Sequence, residues 1–153
     1  MATYISRSPA ETTALGEQWG REAQSGLVIG LSGDLGAGKT ELVKGIARGL
    51  NIPERVHSPT FALINIYGGG RLPLFHLDLY RLETAEQILA AGLEQYLNPE
   101  GVTVIEWVER WFPSVPPDAI RNTQYEAPIT MAWVSIQELA ETERRITYEN
   151  IGA

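Results

Sequence analysis

Residues 33–40 read GDLGAGKT, which has the G-x-x-x-x-G-K-T spacing of a loop that binds phosphate groups. In such a loop, backbone N–H groups converge at a helix N-terminus, where the donors and the helix dipole together hold an anion. We expect Lys39 to reach the β- and γ-phosphates of a nucleotide and the Thr40 hydroxyl to ligate Mg²⁺. The predicted nucleotide contacts are Gly33, Leu35, Gly36, Ala37, Gly38, Lys39 and Thr40.

Nucleotide hydrolysis also requires a carboxylate at the end of a neighbouring buried strand, where it holds the metal ion or its water. Glu106 follows the β-forming run at 102–105, VTVI, and is the candidate for this role. An acidic residue is also common as a plain strand end. The adjacent Trp107 either shields the metal-bound water or fills the core, and the pattern alone favours the core.

The stretch 74–81, LFHLDLYR, alternates polar and apolar residues. A period of two places His76, Asp78 and Tyr80 on one face of a strand. Asp78 is a candidate for a second carboxylate near the metal or for the base that activates water. A half-exposed strand with a polar outer side explains the same pattern. Arg81 contacts phosphate or forms a structural ion pair.

The stretch 57–61, HSPTF, follows the helix of the glycine-rich loop. Nucleotide switches place a hydroxyl in such a loop, where it senses the γ-phosphate and Mg²⁺. Thr60 is the candidate for this switch hydroxyl. The alternative is that Ser58 or Thr60 caps a turn.

The elements around the loop are those that a phosphate site requires. Residues 27–31 form an apolar run typical of a strand buried on both sides, and an amphipathic helix is expected from Gly38 to just before 51–53. An earlier helix begins with Ser8 as N-cap and ends at Gly26.

The rest of the chain predicts a mixture of strands and short helices. We expect an antiparallel hairpin of strands 61–67 and 72–79, helical segments at 83–91 and 93–97, and a strand at 102–105. Late strands are expected at 129–134 and 145–148, with a helical turn at 136–141 between them.

Composition limits the class of protein. The chain has 153 residues, 44% hydrophobic, no cysteine and a net charge of −7. These values predict one domain over 1–153, a cytoplasmic location and no membrane association. The excess of acidic over basic residues argues against direct binding to nucleic acid, because like charges repel the phosphate backbone. Arg144 and Arg145 are the only adjacent basic pair and are expected at a solvated strand end.

Four motifs together, GDLGAGKT at 33–40, SPTF at 58–61, HLDLYRL at 76–82 and EW at 106–107, resemble the TsaE (YjeE) family of small bacterial P-loop ATPases. The likeness extends from about residue 8 to residue 111. It implies an α/β P-loop NTPase fold with a mixed, mainly parallel central sheet flanked by helices. It also implies Mg²⁺-dependent ATP hydrolysis in support of threonylcarbamoyladenosine formation at position 37 of tRNA. The implied partner is the TsaB-TsaD pair, through which tRNA is reached indirectly.

The resemblance also assigns roles to residues. It makes Lys39 and Thr40 the phosphate and metal contacts, Asp78 and Glu106 the acids of hydrolysis, and Thr60 the switch hydroxyl. Trp107 is tied to activity. A threonine near the nucleotide is best matched by Thr12, beside which lies Thr13. The chain departs from the family at Glu41 and over 122–137.

Two other functions use the same loop. A small-molecule kinase would transfer the γ-phosphoryl to a hydroxyl with Asp78 as base, but no segment plainly supplies an arginine-bearing lid. A GTP-dependent switch would need a guanine-reading N/T-K-x-D motif, which the sequence lacks.

Overall fold

A computed structural model describes residues 2–33, 38–56, 63–112 and 131–151. Seven strands and three α-helices follow one another along these residues. They are β1 Ala2–Ser6, α1 Pro9–Glu22, β2 Val28–Ser32, α2 Lys39–Gly49, β3 Ile64–Tyr67, β4 Leu74–Asp78, α3 Ala85–Ala90, β5 Val102–Glu106, β6 Ala132–Glu138 and β7 Arg144–Glu149. Short 3₁₀ turns lie at Leu93–Leu97 and Val108–Arg110.

All seven strands belong to one sheet, in the order β1-β7-β6-β2-β5-β4-β3. The four strands β6, β2, β5 and β4 pair in parallel, whereas β3, β7 and β1 join antiparallel. The expected hairpin is therefore confirmed as β3 and β4, and the sheet is mixed. The four central strands are parallel, as expected. The antiparallel strands lie outside them, and β7 is antiparallel to β6 because a short turn joins the two and such turns connect only antiparallel neighbours.

Each face of the sheet has its own apolar core. Helices α1 and α2 cover one face, where Leu31, Leu42 and Val104 are fully buried. On the other face, α3 and the two 3₁₀ turns cover residues that include Leu77 and Ile105. Central strands that are buried on both faces explain why β2 and β5 are almost uninterrupted apolar runs.

Helices α1 and α2 pack with their backbones in close contact, through glycines on both. A methyl group on Gly16 would lie 2.3 Å from the carbonyl oxygen of Leu42, and one on Gly45 would lie 2.1 Å from that of Thr13. Gly20 and Gly49 meet the partner helix in the same way. This packing fixes the start of α1 beside the start of α2.

Helix α1 begins as expected, since the Ser8 side chain accepts a hydrogen bond from the Glu11 N–H at 3.1 Å. The carboxylate of Glu11 reaches the backbone N–H of Arg7. The helix ends at Glu22, four residues before Gly26.

Near the chain ends, one strand was not predicted and one expectation is wrong. Strand β1 was not expected, because it is a short edge strand whose stability depends on pairing with β7, far along the chain. Residues 136–138 continue β6 and do not form a helical turn, because Ile136 is buried opposite Ile146 of β7. Tertiary pairing overrides local composition here.

Candidate functional site

The glycine-rich loop connects β2 to α2, as the motif predicts. Gly38 has a φ of 103°, a left-handed conformation that glycine adopts without strain, and it precedes the first helical residue, Lys39. Gly38 also has no side chain with which to cap α2. The start of this helix lines a cavity, where the helix dipole would favour an anion. Leu35, Gly36 and Ala37 lie outside the described residues.

The Lys39 ammonium lies inside the site, and the residue is only 5% exposed. Its Nζ donates a hydrogen bond to the carbonyl of Gly33 and lies 3.7 Å from the centre of the Trp107 ring. A cation over an aromatic face is stabilised by the ring quadrupole. Trp107 therefore contacts the loop lysine and does not simply fill the core.

Asp78 and Glu106 are direct neighbours across two parallel strands. The register of β4 and β5 pairs them at the carboxyl ends of both strands. Carboxyl ends of parallel strands meet at the same edge of a sheet, which is where open α/β sheets bind ligands. Glu106 is 4% exposed and Asp78 is half-buried.

Burial raises the pKa of the Asp78 carboxyl above its ordinary 3.8, and the nearby charge of Glu106 raises it further. The backbone N–H of Tyr80 opposes this shift by donating to Asp78 Oδ1 at 3.0 Å. Because a higher pKa makes a carboxylate more basic, Asp78 is suited to accept a proton from water.

His76 differs from the sequence interpretation. The half-exposed polar face is wrong at this position, since His76 is completely buried and its Nε2 is hydrogen-bonded to Glu106 Oε2. Tyr80, which was expected on the same strand face, lies in the turn after β4; it is exposed and its ring lies 5.1 Å from the Trp107 ring. Trp107 itself has a φ of 61°, an uncommon backbone conformation for a bulky residue and one that is enriched at functional sites.

Thr12 lies on α1 and forms part of the site, while its neighbour Thr13 does not line it. The Thr12 hydroxyl is 2.7 Å from the Ser6 hydroxyl of β1. Thr13 instead donates to the carbonyl of Pro9 at 3.0 Å and contacts Glu41 at 3.4 Å. Of these two threonines, only Thr12 therefore lines the cavity beside the start of α2.

A cavity of about 510 Å³ connects these groups. This volume lies within the range of small-molecule sites in proteins. Its walls come from the starts of α1 and α2, the ends of β4 and β5, and the turn between β6 and β7. The lining residues are Ser8, Pro9, Thr12, Gly38, Lys39, Thr40, Glu41, Asp78, Tyr80, Glu106, Trp107, Glu141, Thr142 and Arg144.

The sequence interpretation missed the contribution of the β6–β7 turn. Arg144 lines the cavity and its Nη1 donates to the carbonyls of Ala140, Glu141 and Glu143, so it is more than a solvated strand end. Arg145 is exposed, as expected. The basic pair was the available signal, but only the pairing of β7 brings Arg144 to the loop.

The oxygen donors of the cavity suit magnesium with a nucleotide. Within the described ranges, no group of three or more His, Asp or Glu side chains could hold a metal ion. Mg²⁺ in nucleotide sites takes one or two protein oxygens, completed by phosphate oxygens and water. Thr40, Asp78 and Glu106 line the cavity beside the start of α2 and have side-chain oxygens that could hold such an ion.

Thr60 lies outside the described residues, so the expectation of a switch hydroxyl stays a prediction. In the part of the chain that the structure describes, no helix is long and apolar enough to cross a bilayer.

Comparison with known proteins identifies the family. A family model described as "Threonylcarbamoyl adenosine biosynthesis protein TsaE" matches residues 6–145. The chain is 37% identical to the tRNA threonylcarbamoyladenosine biosynthesis protein TsaE of Bacillus subtilis (strain 168), over 95% of this chain and 83% of that protein. It is 41% identical to the TsaE protein of Treponema pallidum (strain Nichols), over 94% and 96% of the two chains.

A solved structure agrees with this assignment. The crystal structure of Bacillus subtilis YdiB matches the fold with a TM-score of 0.72 at 31% identity, over 96% of this chain and 83% of that one. The site residues Lys39, Asp78 and Glu106 all lie within the matched family segment. The chain belongs to the TsaE family.

Proposed function

We propose that this protein is a Mg²⁺-dependent ATP hydrolase with a P-loop site, which supports the formation of threonylcarbamoyladenosine in tRNA. The tRNA modification follows from the names of its relatives in Bacillus subtilis and Treponema pallidum. The single observation that carries the hydrolase proposal is the cavity in which Lys39, at the start of α2, lies with Asp78 and Glu106.

The chain's own groups have distinct tasks in this proposal. The start of α2 and the Lys39 ammonium bind the phosphates, and the Thr40 hydroxyl provides an oxygen for the metal ion. Glu106 holds the metal ion or its water. Bound Mg²⁺ would supply charge neutralisation at the β- and γ-phosphate oxygens.

The acidity of the cavity makes the metal ion necessary for nucleotide binding. Among the described residues, four carboxylates line it, against the cationic groups of Lys39 and Arg144. A free triphosphate would be repelled by this surplus of negative charge, whereas its magnesium complex carries less charge. ATP is therefore expected to bind more tightly with Mg²⁺ than with a chelator.

Asp78 is the candidate for the group that accepts the proton of the attacking water. Its Oδ1 is fixed by the Tyr80 N–H, which orients the carboxylate at the edge of the cavity. Its raised pKa strengthens it as a base. Free phosphate is the product that this arrangement predicts.

The partner is proposed to be the TsaB-TsaD complex, with tRNA reached only through it. Most of the described residues belong to the sheet, the helices that cover it or the cavity walls, and a chain of 153 residues is expected to leave little room for a separate acceptor domain. Hydrolysis in such a chain is expected to drive a change in a second protein.

Phosphate release by the purified chain, alone and with TsaB-TsaD and tRNA, tests the proposal. Glu106→Gln keeps the size of the side chain and removes its charge, so it is expected to lower the rate about 100-fold or more. Formation of a phosphorylated metabolite in place of free phosphate would contradict hydrolysis and favour a kinase. An unchanged rate in Glu106→Gln would contradict the role of this carboxylate.

A further inference from the structure

His76 is a buried polar residue that the proposed mechanism does not use. It is 0% exposed and lies on β4, with its backbone opposite Val104 of β5. Removing an imidazole from water is unfavourable unless its polar atoms find partners. Glu106 is the partner that His76 has in the structure, and the pair has a consequence for the site.

The register of the two strands brings the histidine to this carboxylate. Val104 and Glu106 lie on the same face of β5, so Glu106 is the diagonal neighbour of His76. Diagonal pairs in a sheet are within reach of long side chains. The bond joins His76 Nε2 to Glu106 Oε2.

The surroundings of the ring select one tautomer. Among the described residues, His76 Nδ1 has no hydrogen-bond partner. A buried N–H without an acceptor costs more than an unused lone pair, so the proton belongs on Nε2. With its proton on Nε2, the ring donates one hydrogen bond to the carboxylate, which accepts it.

We propose that His76 is a positioning residue that fixes the Glu106 carboxylate for the magnesium ion of bound ATP, an inference that rests on the proposed function. One Glu106 oxygen is held by the imidazole, and rotation of the carboxylate is thereby restricted. Groups that orient a metal-binding carboxylate typically change metal affinity or activity 10- to 100-fold when they are removed.

A purely structural role predicts a different outcome. If the pair only satisfied two buried groups, its loss would lower stability and leave the magnesium dependence of ATP binding unchanged. The two roles are therefore separated by measuring ATP affinity with Mg²⁺ and with a chelator, beside the unfolding temperature.

A matched pair of variants makes this comparison. The amide nitrogen of glutamine occupies the place of imidazole Nε2, so His76→Gln keeps the donor. In His76→Asn the side chain is shorter, and its amide nitrogen occupies the place of imidazole Nδ1, so the hydrogen bond to Glu106 is lost. We expect His76→Asn to lose about tenfold or more of the Mg²⁺-dependent gain in ATP affinity, and His76→Gln to retain most of it.

Thr103→Val is the control for loss of a buried hydrogen bond. Thr103 lies on the opposite face of β5 and donates to the carbonyl of Tyr96 at 2.7 Å. This variant is expected to unfold at a lower temperature while its magnesium dependence stays that of the wild type.

The outcomes separate the two proposals. Equal magnesium dependence in the wild type, His76→Gln and His76→Asn would overturn the positioning role alone. Absence of Mg²⁺-dependent ATP binding in the wild type would overturn the proposed function and this inference with it.

A measurement on the wild type applies even if the variants fail to fold. The chain has two histidines, His57 and His76, and His57→Asn assigns their NMR signals. Nitrogen-15 spectra of the imidazoles are expected to show His76 protonated at Nε2. A ring with its only proton on Nδ1 would overturn the proposal, since Nε2 then has no hydrogen to donate.

Discussion

The Asp78 carboxyl combines two opposing effects, since the burial that makes it a better base also disfavours its charged form. The folded chain holds the proton of Asp78 to a higher pH than the unfolded chain does. Stability is therefore lost as pH rises from the unfolded pKa, about 3.9, through the raised folded pKa. The penalty is complete once the pH exceeds the folded pKa.

Asp78→Asn removes this penalty and keeps an oxygen for the Tyr80 N–H. We expect the variant to unfold at a higher temperature than the wild type at pH 7, and the difference to shrink as pH falls towards about 4. Thermal unfolding of both proteins across this range measures it. ATP hydrolysis is expected to fall in the same variant, as is common where a site costs stability.

A wild type that is the more stable protein at pH 7, by a margin independent of pH, would contradict the burial argument. The reason is that such a margin would reflect lost contacts and not an unfavourable charge.

At the residue scale, the motifs were enough to identify Lys39, Asp78 and Glu106 as candidate site residues. The hydrogen bond between His76 and Glu106 could not be predicted from the sequence, because it joins residues thirty positions apart through the register of β4 and β5. Alternation shows which residues share a face, but it does not show whether helices bury that face.

At the scale of elements, the contact between α1 and α2 sets the geometry of the site. It places Thr12 at the start of α1 beside Lys39 and Thr40 at the start of α2. Only glycine permits this approach at Gly45, where a Cβ would also lie 2.9 Å from the backbone nitrogen of Glu17.

Gly45→Ala tests this packing. Alanine is normally favoured over glycine inside a helix by about 0.5–1 kcal/mol. Here we expect a loss of about 3 kcal/mol from overpacking, near the upper end of such effects, or about 6–12 °C in unfolding temperature for a chain of this size. Urea or thermal unfolding measures both quantities.

Gly68→Ala is the matched control, because a methyl group added at Gly68 would have no described atom within 4 Å and the φ of this residue is not positive. Its stability is expected to stay within about 0.5 kcal/mol of the wild type. A neutral Gly45→Ala would show that the two helices can separate without cost.

The sequence predicted elements with a strong local signal and missed those that depend on distant partners. Helix α2 and strands β2 and β5 were found because a glycine loop and apolar runs mark them. Strand β1 and the second half of β6 carry weak local signals, and pairing with β7 stabilises both.

At the scale of the whole molecule, the net charge of −7 predicts that association with the proposed partner depends on salt concentration. An acidic protein is attracted to a basic surface, and salt screens this attraction. We expect association with TsaB-TsaD to weaken about threefold or more between about 50 and about 300 mM NaCl. Titration of the complex across this range measures the effect, and a constant affinity would contradict electrostatic attraction.

The central claim is that the start of α2 and the Lys39 ammonium hold the phosphates of Mg²⁺-bound ATP. Lys39→Met keeps the aliphatic stem beside Trp107 and removes only the charged group. Isothermal titration calorimetry is expected to show saturable, Mg²⁺-dependent ATP binding by the wild type, weakened at least about tenfold in Lys39→Met. Equal affinity in the two proteins, or no binding by the wild type, would contradict the claim.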